Sequence, residues 1–160
     1  MESIIKYFEG ERLQCIIGAV ISILFISSSV YFLISHKSLF KGMAYVFLPL
    51  SLFLLVICIG VILRTPKDIE RVGSFYQSAP EKIETEELPR MQKVMKSFGI
   101  IKKVEIGLIL IGLLLLIIFW QGDLYKGVGL GLTIIGVVLY IFDHLAEARG
   151  IVYFDFLKSL

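Results

Sequence analysis

Of the 160 residues, 57% are hydrophobic and only 19% charged, and the mean hydropathy is +0.85. Globular chains run at about 45–50% apolar and about 25% charged, so a domain of this size carries more apolar surface than its own core can hide, which excludes an ordinary water-soluble fold. A net charge of +2 excludes a strongly basic nucleic-acid binder, and the length leaves room for one domain.

The first expected element is a transmembrane helix over 13–34, because no residue between Arg12 and Lys37 carries a fixed charge and the run is long enough to cross about 30 Å of hydrocarbon. The segment ahead of it, MESIIKYFEGER, mixes acids with Lys6 and Arg12, and the apolar run exceeds the about 7–15 residues of a signal-peptide core. A retained span is therefore expected. A second span follows over 43–63, with Pro49 predicting a kink. The charge-free runs between Glu105 and Asp123 and between Lys126 and Asp143 predict spans over 104–121 and 124–142. Both are short for a crossing helix of about 17–25 residues, but Lys102, Lys103 and Lys126 can snorkel, and Trp120 and Tyr125 suit an aromatic belt.

Between spans two and three lies a helical segment over 65–103. Thr65-Pro66-Lys67-Asp68 has the spacing of a helix start, with Ile69, Val72 and Phe75 or Tyr76 on one face. Glu84, Glu86 and Glu87 then lead into Pro89, after which Met91, Val94, Met95 and Phe98 form an apolar stripe that needs a cover. The C-terminal tail, 143–160, through its apolar end GIVYFDFLKSL, or the membrane surface is the expected cover, with a further protein as the other reading.

Orientation follows from the cations. Thirteen of the 16 Lys and Arg residues fall in the termini and in 64–103, while only Lys37, Lys41 and Lys126 mark the two tips. The positive-inside rule then places both termini and the central segment in the cytoplasm and the chain in the cytoplasmic (inner) membrane. The tips resemble each other, SLFKG at 38–42 and DLYKG at 123–127, and the pairs Ile17-Gly18 and Ile106-Gly107 precede them in the same order. The fold expected is an all-α integral membrane protein of four transmembrane helices in two hairpins, with the likeness pointing to an internal duplication.

Chemistry-bearing residues are few. No span core holds an ionisable residue, which demotes ion-coupled carriers, and no GxxxxGK[ST], HExxH or GxSxG motif occurs. Cys15 and Cys58 read as small core residues. One polar cluster is predicted at the cytoplasmic mouth: Glu11, Arg12, Glu105, Asp143, His144, Glu147 and Arg149. His144 and Glu147 stand at i and i+3, as a metal site would need, but only one such pair exists and His36 lies across the membrane. Interfacial ion pairs, such as Glu11 or Glu105 with Arg149, are the expected role, and no metal or cofactor is expected. Gly127, Gly131 and Gly136 suggest a close helix approach, and Ser27 and Ser28 hydrogen bonds across helices.

The function expected is non-enzymatic: contacts with a protein partner or a second copy within the lipid bilayer, as an accessory subunit or an immunity-type protein. A homo-oligomeric pore or small transporter built on the glycine and serine faces is the second reading. A membrane enzyme using the polar cluster is the third.

Overall fold

The computed structural model covers residues 1–160; it is 92% helical and contains no strand. Four helices, α1 (Glu2–Ile34), α2 (Ser38–Ser78), α3 (Leu88–Ile118) and α4 (Asp123–Lys158), are joined by two tight turns and by a linker containing one π-helical turn, Ile83–Glu87. Helix α1 packs along α2 and α3 along α4, while α2 and α4 also meet each other and α1 touches α4. Both chain termini and the linker lie at one end of the bundle, here the terminal end, and the two tight turns at the other.

Helix α2 runs unbroken through Pro49 and Pro66, so the helix start expected at Thr65-Pro66 does not form. Thr65 turns its hydroxyl back to donate to the Val61 carbonyl, 2.7 Å away, instead of forward to cap free amides, since the residues before it are already helical. Proline still removes one backbone hydrogen bond. Burial of Val72, Gly73 and Phe75 about two turns farther on holds the helix together across that gap. Helix α4 likewise continues through 143 to Lys158, so the segment read as a tail extends the same rod.

Three helices, α1, α2 and α4, are long and apolar enough to cross a membrane. Helix α3 is the exception to the four expected. Lys102, Lys103 and Glu105 interrupt its apolar stretch, and the helix stops at Ile118 where the expected span ran on to 121. Beyond Glu105 only Ile106–Ile118 is helical, about 20 Å at 1.5 Å per residue, against about 30 Å of hydrocarbon.

Glycine decides how the helices meet. A Cβ on Gly127 of α4 would fall on the backbone carbonyl of Leu39, and a Cβ on Gly42 of α2 on that of Leu124. The contact is reciprocal, and its partners are the matching Leu and Gly of SLFKG and DLYKG. Both α2 and α4 begin on the first residue of that motif. One turn farther along, Gly131 sits where a Cβ would lie 3.1 Å from Val46 Cβ, and Ile135 packs with Val46 and Phe47. The opposite side of α4 meets α3 through Gly129 and Gly136, where a Cβ would lie 2.8 Å from the Gly112 carbonyl oxygen and from Ile109 Cγ1 respectively. The second sequence likeness has no such counterpart, because Gly18 is packed under Phe142 and Cys58 while Gly107 has nothing within 4 Å.

The serines differ from expectation. Ser27 and Ser28 are exposed and hydrogen-bond to Ile23 and Leu24 of their own helix, both at 2.8 Å. Ser22 and Ser29 are the fully buried ones, and they too donate within α1, to Gly18 and Phe25. A hydroxyl bonded to its own i−4 carbonyl is satisfied without a partner helix, which is why the serine run does not bridge helices.

Gly127→Ala is expected to lower stability in detergent by about 1–3 kcal/mol, the range for forcing extra volume into a packed contact. Gly60→Ala, with nothing within 4 Å of the new methyl, should be neutral or stabilising by about 0.5–1 kcal/mol. Thermal unfolding of the two purified variants compares them, and equal midpoints would mean that α2 and α4 do not touch at Gly127.

Candidate functional site

The terminal end is built first from apolar spacing. Ile4, Tyr7 and Phe8 recur on one face of α1 and meet Val72 and Phe75 of α2, Ile83 of the linker, Met91 of α3 and Tyr153 and Leu157 of α4. Tyr7 and Tyr153 stack at 4.1 Å between ring centroids and Phe8 meets Tyr153 edge-on at 5.8 Å. The Met and Phe stripe of α3 is covered here by α4, and a Cβ on Gly150 would lie 3.0 Å from the Met95 sulfur.

A buried carboxylate organises the polar side of this lobe. The π-helical turn carries Ile83 and Glu87 inward together, leaving the Glu87 side chain 1% exposed. Glu87 accepts two hydrogen bonds from Arg90, at 2.8 and 2.6 Å, and one from the Tyr153 hydroxyl at 3.1 Å. Arg71 stands 3.5 Å away and continues an ion-pair chain through Asp68 and Arg64 to Glu11, with Arg64 3.0 Å from Glu11. That chain links α1, α2, the linker and α3.

Burial pushes the Tyr153 phenol well above its usual range, and the neighbouring Glu87 charge adds to this, so Tyr153 stays a hydrogen-bond donor. Burial of Arg90 opposes its charge, but the hydrogen bonds and charge of Glu87 outweigh that and raise its value. Burial also raises the Glu11 carboxyl, with the Arg64 charge only partly offsetting it.

The polar cluster expected at this end is divided by the structure. Glu11 pairs with Arg64, not with Arg149, and Arg12 is exposed without an ion pair. Glu147 pairs with Lys102. The Glu105 carboxyl is buried beside that of Asp143. His144 is exposed with its ring parallel to Tyr140 at 6.3 Å, and no three His, Cys, Asp or Glu side chains come together. Neither pairing proposed for Arg149 forms. Its Nη2 is buried with no hydrogen-bond partner. The reason is rotation about the helices, since Glu11 faces α2 whereas Arg149 lies along α1 at Gly10.

Arg149 belongs instead to a groove of about 860 Å³ between α1 and α4, within the size of small-molecule sites at about 300–1,000 Å³. The groove runs from Ser3 and Phe156 at the terminal end to Ile21 and Val138. Its wall is apolar apart from Ser3, Lys6, Gln14, Arg149 and the two stacked tyrosines. Gln14 is 8% exposed; its amide donates to the Phe142 carbonyl, and its Oε1 has no partner.

Sequence reading passed over Glu87, Arg90, Lys6 and Gln14 as members of a site. Glu87 and Arg90 do stand at i and i+3, and Gln14 is an amide at the start of an apolar span, which are the signals available. Comparison of the chain with known protein families, with curated proteins and with solved structures finds no match.

Glu87→Gln should cost about 3 kcal/mol, because it leaves Arg90 and Arg71 facing a neutral amide in a buried site. Glu86→Gln breaks a pair 3.9 Å long and about half exposed on both sides and should cost no more than about 0.5 kcal/mol. Equal unfolding midpoints would overturn the role given to Glu87.

Because the folded Glu11 carboxyl holds its proton to higher pH than the unfolded chain does, its contribution to stability is fully present below the unfolded value. That contribution is lost as pH rises from the ordinary carboxylate range of about 4.3 through the folded value. Glu11→Gln should flatten the pH dependence of the unfolding midpoint over that window. An unchanged pH profile would show that Glu11 is not the titrating group.

Proposed function

We propose that this chain is a four-helix protein of the cytoplasmic membrane, with both termini and 64–103 inside, and that it acts by lateral contact with another membrane protein rather than by catalysis. The cation distribution supports the orientation. The reciprocal packing of SLFKG on DLYKG supports two hairpins related by duplication. Helix α3 carries the functional reading. It packs along α4 and leaves Ile106, Leu110, Ile111, Leu114, Ile117 and Ile118 exposed, yet its uninterrupted apolar length is only about 20 Å. A short span is accommodated by thinning the bilayer, by snorkelling or by association with other helices, and an accessory or immunity-type protein would supply the last. A pore is less well supported, because the serines of α1 are bonded within their own helix and line no continuous track. The polar cluster of the enzyme reading is split into separate pairs.

Two experiments test the proposal. In a Cys-free variant, single cysteines at Ser38 and Gln77 should react with an impermeant thiol reagent from opposite sides of the membrane; reaction of both from outside would overturn the orientation. A photoreactive residue at Ile111 or Leu114 should yield a cross-linked product of one defined protein mass in cells, and one at Leu24 of α1 should not. Lipid adducts alone at all three positions would overturn the partner.

A further inference from the structure

We propose that the groove between α1 and α4 binds an anionic lysoglycerophospholipid, with its single acyl chain along the apolar wall and its headgroup held by Arg149 and Lys6. The inference rests on the membrane placement argued above but not on a partner at α3.

Charge is the first reason. Lys6 and Arg149 are the only charged side chains on the groove, and no acid lines it. Arg149 has no ion pair, and its Nη2 is buried without a partner. Arg149 is half-buried, and a guanidinium nitrogen withdrawn from water without an acceptor is costly, while the planar donors of the group match a phosphate closely. A zwitterionic headgroup would bring its own ammonium toward these two cations. A second copy of the chain, packed groove to groove, would bring another Arg149 and Lys6.

Length and polarity are the second. The Arg149 stem lies along Gly10, and the groove extends from there to Ile21, about 16 Å at 1.5 Å per residue. One leaflet of hydrocarbon is about 15 Å deep, half of about 30 Å. Past Arg149 the wall passes Gln14, whose buried Oε1 has no partner and can accept from the one free glycerol hydroxyl of a lysolipid, and then becomes wholly apolar through Ile17, Ile141, Ile21 and Val138. Anion donor, hydroxyl acceptor and apolar slot thus follow in the order of phosphate, glycerol and acyl chain.

The test is native mass spectrometry of the protein in dodecylmaltoside, titrated with 1-palmitoyl lysophosphatidylglycerol or 1-palmitoyl lysophosphatidylcholine. One anionic lipid per chain should be retained, about ten-fold more tightly than the choline lipid, and Arg149→Gln or the exposed Lys6→Gln should reduce that preference. Leu145→Trp, which fills the slot, should weaken both lipids, whereas Lys158→Gln, a cation at the same end outside the groove, should leave binding unchanged. Circular dichroism of each variant separates a lost site from a lost fold. Equal affinities for the two lipids, undiminished binding by Leu145→Trp, or a lipid-free two-chain mass showing a second copy in the groove would each overturn the proposal. Because binding is read in micelles from α1 and α4, failure here is separable from an error in membrane orientation or from the absence of a partner cross-linked at Ile111.

Discussion

The contact between Gly42 and Gly127 constrains everything else in this bundle. Each glycine lies against the backbone of the other helix, so α2 and α4 come together where any side chain would hold them apart. In an up-and-down bundle these two helices are diagonal, not neighbours. Bringing a diagonal pair into contact flattens the bundle and separates α1 from α3. Helix α3 is then left with one main neighbour, and α1 reaches α4 over a limited strip. The exposed face of α3 and the groove between α1 and α4 are both consequences of that close approach.

Dispersion between closely fitted backbones suits a chain with so little polar interior, since association of helices in lipid draws on packing rather than on the hydrophobic effect. The terminal end is held differently. There an aromatic and aliphatic cluster from all four helices surrounds one buried carboxylate, and Glu87 with its arginines ties the linker to the helix ends. The two ends of the molecule therefore rest on different forces: van der Waals contact near the tight turns, and burial combined with ion pairing at the termini. Arg149 stands apart from the second system. It is a cation beside a network rich in carboxylates that joins none of them, and its position on the groove gives that isolation a meaning.

Several readings made from local sequence differ from the structure because the surroundings of a residue, not its type, decide its role. Thr65-Pro66 has the residues of a helix start, yet α2 passes through it because burial on both sides holds the helix. Ser27 and Ser28 have hydroxyls, yet these are satisfied within α1. Glu84, Glu86 and Glu87 stand together ahead of Pro89, yet the π-helical turn buries Glu87 alone of the three. Residues adjacent in sequence are separated by about 100° around a helix, so the identity of a residue says little about which neighbour it faces. Glycine at 127 was legible because a small residue carries the same consequence whichever helix approaches.

The sequence by itself determined what depends on local sums: helix throughout, the positions of the two tight turns, the apolar length of α1, α2 and α4, and the concentration of charge at one end. Mean hydropathy over a window, a rise of 1.5 Å per residue and the placement of Lys and Arg require no knowledge of neighbours. The tertiary structure alone decided which glycines form the α2–α4 contact, that Glu87 takes the central place among the arginines, and that Glu11 turns to Arg64 while Arg149 is left on the groove. Those outcomes depend on the rotation of each helix about its axis, which is set by packing against the others at once and is written in no single segment.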